Sequence, residues 1–75
     1  MGDAGTKLRK HSVVLSGHRT SVSMEDAFWE ALKTIAQTEK RSLNDLIAEV
    51  DRDRESNLSS ALRVFVLRRQ SEQPY

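Results

Sequence analysis

Apolar and polar side chains change period once between residues 19 and 50, and the change marks the elements. From Arg19 to Met24 they alternate: Thr20, Val22 and Met24 fall on one face and Arg19, Ser21 and Ser23 on the other, the period of a strand with one packable side. A shorter candidate strand, Val13 to Ser16, precedes it, and Gly17-His18 between the two supplies a turn or a bulge. From Glu25 the period is helical, with Phe28, Ala31, Leu32, Ile35 and Ala36 on one stripe. Ser23 to Asp26 has the spacing of a capping box, and Glu25 and Asp26 suit the positive end of that helix. Thr38 to Arg41 closes it. Ser42, with Asp45 three residues on, opens a second helix carrying Leu43, Leu46, Ile47 and Val50. Asp51 to Asn57 has no apolar residue and reads as a connection or a solvated turn. Asn57 or Ser56 then caps a third helix with Leu58, Ala61, Leu62 and Phe65 inward. Val64, Val66 and Leu67 widen that last stripe, so the third helix needs contacts from two directions, one of them a second subunit.

Length and composition make self-association the expected source of stability. Seventy-five residues, 37% of them hydrophobic, form one small domain that cannot bury a large core alone. With no cysteine, and only His11 and His18 as imidazoles, neither a disulfide framework nor a structural zinc site is available. The expected division is a flexible basic arm over 1–11, a folded domain over 12–70 and a tail over 71–75. No apolar run approaches the ~20 residues of a membrane span or a signal-peptide core of roughly 7–15, so a cytoplasmic protein without membrane contact is expected.

Charge changes the picture only through its placement. The net charge is +1, but residues 1–24 hold Lys7, Arg9, Lys10 and Arg19 against Asp3 alone, and acids outnumber bases over 25–57. A basic front can contact a polyanion despite an acidic middle. Asp51, Asp53 and Glu55 alternate with Arg52 and Arg54 and lack calcium-loop spacing. They read as a solvated run. No Ser, His and acid constellation, phosphate loop or buried acid pair can be built, so neither an enzyme nor a cofactor is expected. Trp29 reads as packing rather than as a platform for bases.

Arg19 to Val50, RTSVSMEDAFWEALKTIAQTEKRSLNDLIAEV, resembles the core of the ribbon-helix-helix family of DNA-binding proteins, and the AFWEAL and NLSSALRVFVL stretches resemble a bacterial subgroup with an extended C-terminal helix. The resemblance implies a mainly α fold with a short β-ribbon: an intertwined homodimer with an additional C-terminal helix, whose strands pair antiparallel between subunits and enter the major groove. The dimer core would hold Thr20, Val22, Met24, Phe28, Trp29, Leu32, Ile35, Leu46, Ile47, Leu62 and Phe65. Arg19, Ser21 and Ser23 would face bases, Arg19 being suited to G O6 and N7. Phosphates would be met at the second helix by Ser42, Leu43 and Asn44, with Lys40 and Arg41 before it, and elsewhere by His18, Lys7, Arg9 and Lys10. The implied function is a sequence-specific transcriptional regulator, a repressor, with double-stranded DNA and itself as partners, nucleoid-associated in the cytoplasm. An antitoxin with a toxin partner, and a dimeric protein-interaction module without DNA binding, are the alternatives. The residues also allow Val13 to Ser16 to pair with Arg19 to Met24 as a hairpin within one chain.

Overall fold

The computed structural model describes residues 5–72. The elements run β1 (Leu8–Leu15), β2 (His18–Glu25), α1 (Asp26–Thr38), α2 (Leu43–Asp53) and α3 (Leu58–Ser71). β1 and β2 form an antiparallel hairpin with Leu15 opposite His18 and Leu8 opposite Glu25. Its two-residue loop, Ser16 (φ 53°) and Gly17 (φ 79°), has positive φ at both positions, the backbone of a tight hairpin turn matched to strand twist. One chain therefore supplies both strands of a ribbon. A second subunit is not needed to pair β2 on that side.

β1 begins earlier than the apolar pattern suggests, which corrects the boundary of the basic arm. Leu8, Arg9, Lys10 and His11 lie in the strand opposite Glu25, Met24, Ser23 and Val22, because residues 9, 11, 13 and 15 continue one alternating face. The segment before β1 is also tied down: Lys7 O accepts from Asp26 N (3.0 Å) and Gly5 O from Ala27 N (3.1 Å). Those carbonyls serve two of the N–H groups that a helix start leaves unpaired. Ser23 consequently does not cap α1. The N-cap is Glu25, without a side-chain bond to the helix. Residues 1–4 of the expected arm and 73–75 of the expected tail lie outside the described residues.

The other helix starts follow the sequence signals. Ser42 Oγ accepts from Asp45 N at 3.0 Å and Asn57 Oδ1 from Ser60 N at 2.8 Å, each serving one unpaired helix N–H. Lys40 turns the chain between α1 and α2 at φ 57°. α3 ends with Arg68 and Arg69 in its last turn, where cations suit the helix dipole.

The three helices cover one face of the hairpin. Val13, Leu15, Val22 and Met24 meet Leu32, Ile35 and Ala36 of α1, Leu46, Ile47 and Val50 of α2, and Leu62 and Val66 of α3. Among the described residues no polar or charged residue is buried. Most residues expected in a dimer core thus build the core of a single chain, with Phe28, Trp29 and Phe65 packed half-buried at its margin. Thr20 differs. It shares the inner face opposite Val13 yet is exposed, because helices cover β2 only from Val22 onward. His11, also on the inner face, stacks on Trp29 of α1 with ring centroids 3.7 Å apart and planes 6° from parallel. Its Nε2 is buried without a hydrogen-bond partner.

Candidate nucleic-acid interface

The hairpin register decides which side chains share the face turned away from the helices. Opposed residues of an antiparallel pair lie on the same face, so Lys10 joins Ser23, Ser12 joins Ser21 and Val14 joins Arg19. The polar face expected from β2 alone is doubled by β1. Ser12 and Val14 escape a reading of the sequence, because the apolar run Val13 to Leu15 hides the alternation that puts Val14 outside, where it is 47% exposed. Glu25 is the acid of this face. Its carboxylate bonds Arg63 Nε at 2.9 Å, and that hydrogen bond is the main reason its pKa lies below the ordinary glutamate value. The pairing offsets the charge that would repel a phosphate.

Asn44 joins this face to the start of α2. Its side-chain Oδ1 accepts from Val14 N at 2.9 Å and its Nδ2 donates to Val14 O at 2.7 Å. The carboxamide thereby stands in for one peptide group of a neighbouring strand. Since Ser42 O and Oγ take the Leu46 and Asp45 N–H groups, the N–H groups of Leu43 and Asn44 are the helix-start donors left over. They lie beside the ribbon's β1 edge, at the positive end of the helix dipole.

The same two bonds fix which way the backbone faces along the ribbon. Val14 turns its N–H and C=O away from β2, so the Val14–Arg19 pair belongs to the non-hydrogen-bonded set that alternates along an antiparallel ladder. Arg19, Ser21 and Ser23 therefore turn their own backbone groups toward the outer edge of β2. Ser23 O is taken by Ser59 Oγ at 3.1 Å. Among the described residues, the edge groups of Arg19 and Ser21 have no hydrogen-bond partner. The β1 edge is closed at Val14, and the β2 edge is open beside the basic residue Arg19.

Two of the expected phosphate contacts are placed differently. Arg9 falls on the inner face opposite Met24 and pairs with Asp26 at 3.0 Å, as its odd position in the alternation requires. Arg41 bonds Glu39, Glu49 and the Asp45 carbonyl, so its guanidinium is committed within the α1–α2 turn. Asn44 spends its side chain on Val14, leaving its backbone N–H for an anion. Lys7 and Lys40 are exposed, and His18 is exposed beside the hairpin turn. Nothing in the sequence pattern links Asn44 to Val14 across thirty residues; only the packed fold brings them together. Among the described residues no group of His, Cys, Asp or Glu is arranged to hold a metal ion, and no helix is long and apolar enough to cross a membrane.

A family model described as a ribbon-helix-helix domain matches residues 8–70. Among solved structures, the chain is similar to an uncharacterized protein from Bordetella pertussis Tohama I, with a TM-score of 0.80 and 30% sequence identity over 95% of this chain and 62% of that one. The chain thus spans less than two thirds of that protein's length. No curated protein matches it.

Proposed function

Because the chain belongs to the ribbon-helix-helix family, whose members include DNA-binding regulators and antitoxins and typically act as dimers, we propose that it is a sequence-specific DNA-binding transcriptional regulator, a repressor, working as a homodimer. The observation that carries the proposal is the Asn44–Val14 clasp. It sets an anion-binding helix start beside the ribbon, so the two can meet a groove floor and its phosphate wall together.

Pairing of β2 with β2 of a second copy, along the open Arg19 and Ser21 edge, gives a four-stranded sheet in the order β1-β2-β2-β1, whose two central strands, one from each chain, form the ribbon that enters the major groove. Arg19, Ser21 and Ser23 of each copy then face bases. Each β1 lies to the outside, where Lys10 reaches phosphate, and the α2 start with Leu43 and Asn44 lies beyond it. Lys7 and Lys40 supply further positive charge at the flanks, and His18 a ring N–H donor. Arg19 is the side chain able to bond two acceptors of guanine at once, while the short Ser12, Ser21 and Ser23 favour recognition through water and groove shape.

Mobility-shift titration against the DNA upstream of the protein's own gene tests the reading. Binding should weaken steeply with salt. Arg19→Ala should flatten the preference among sites, whereas Lys10→Ala should lower affinity for all of them alike. No retardation of any duplex at low salt refutes the proposal. That outcome would favour a dimeric protein-interaction module, a reading supported by the net charge of +1 and by the internal pairing of Arg9 and Arg41. Copurification with a small toxin would instead mark an antitoxin.

A further inference from the structure

A groove runs along the side of the molecule between α2 and α3. It encloses about 460 Å³, and its apolar floor is Val50, Ala61, Val64 and Phe65. Val64 is 46% exposed there, an aliphatic side chain on a helix whose Leu62 and Val66 already fill the core.

The charges of the groove are divided along its length. Asp53 and Glu55 stand at the end where the α2–α3 connection enters α3, and Arg68 stands at the other end, nearly three turns along the helix. Among the described residues none of the three has an ion-pair partner, whereas Glu49, which also lines the groove, is held by Arg41. An antiparallel contact of α3 with α3 of a second copy, centred between Val64 and Phe65, places position 68 of one helix opposite position 61 of the other. Each Arg68 then lies toward the partner's Asp53 and Glu55, and at the centre each Val64 meets the partner's Phe65. The arrangement is isologous: one rotation brings an Arg68 to each acidic pair and offsets half of its charge.

We propose that this groove is a second self-association surface, joining copies through antiparallel α3 helices. It lies on different elements from the β2 edge, so it joins ribbon-paired dimers into higher assemblies. This gives neighbouring dimers on DNA a contact that does not depend on the base sequence between them.

Sedimentation of the full chain over a concentration series tests the proposal separately from DNA binding. The wild type should form species larger than a dimer. Arg68→Glu and Glu55→Arg should each weaken that step by about tenfold, because each removes an attraction and adds a repulsion in two symmetric places. The double variant Glu55→Arg, Arg68→Glu should recover it. Val64→Lys should abolish it without recovery by either charge change. If Arg68→Glu converts a dimer into a monomer, the α3 surface is confirmed and the ribbon pairing is what fails. A wild-type mass no larger than a dimer that none of these substitutions alters overturns the proposal, whatever the mobility shifts show.

Discussion

Asn44→Ala isolates the clasp between ribbon and helix. The substitution removes two hydrogen bonds, each contributing roughly 0.5–1.5 kcal/mol net. Val14 is exposed, so water recovers its N–H and C=O, and the penalty of an unsatisfied buried group does not arise. In the opposite direction, alanine is the better helix former by about 0.5 kcal/mol. The balance is a loss of about 1 kcal/mol, which for a domain of this size lowers Tm by roughly 4–8 °C. Thermal melting followed by circular dichroism reads the effect directly. Asn44→Asp refines it: a carboxylate still accepts from Val14 N–H, loses the bond to Val14 O, and gains about 0.3–1 kcal/mol from the helix dipole. The aspartate variant should melt above the alanine variant yet bind DNA less tightly, since its charge sits where a phosphate would dock. A Tm for Asn44→Ala equal to or above that of the wild type would mean that helix propensity alone governs the site. The clasp would then have no role in positioning α2.

Three further outcomes follow from the packing. Leu62→Ala empties a fully buried position and should cost about 2–5 kcal/mol, a large share of a small domain's stability, visible as a lowered urea midpoint. Ser16→Asn should stabilise the hairpin by roughly 0.5 kcal/mol, because asparagine tolerates the left-handed backbone that Ser16 adopts at φ 53° and Asn-Gly is the favoured pair for such a turn; an unchanged melting temperature would count against the turn geometry. Glu25 has its folded-state pKa lowered by Arg63. Its contribution to stability is therefore present above the ordinary glutamate pKa and fades as pH falls through the lowered value. Urea titrations at descending pH should show this component in the wild type and lose it in Glu25→Gln.

Elements with an unbroken period were legible from the sequence, and so were the starts that rest on local chemistry. α2 and α3 begin where Ser42 and Asn57 cap them, since an N-cap bond spans only three residues. β2 was legible because Val22 and Met24 alternate cleanly with serines. β1 was harder to delimit, since Leu8 to His11 is nearly all polar and becomes a strand through pairing with Glu25 to Val22. The capping box at Ser23 failed for a related reason. β2 extends to Glu25, and the distant carbonyls of Lys7 and Gly5 serve the first turn of α1 instead. At the candidate interface, Arg19, Ser21 and Ser23 were visible as one face of one strand. Ser12 and Val14, and the closure of the β1 edge by Asn44, depend on a register and a long-range contact that no local pattern encodes. Arg9 and Arg41 looked available because sequence displays a charge without its partner.

The stacked pair of His11 and Trp29 turns the molecule into its own optical probe. Trp29 is the sole tryptophan, and its indole lies in van der Waals contact with a ring carried by the ribbon. Emission from this one fluorophore therefore senses whether β1 is seated on α1. A stopped-flow trace could follow separation of those two layers without any label, and a comparison with His11→Ala would identify the part of the signal that comes from the imidazole.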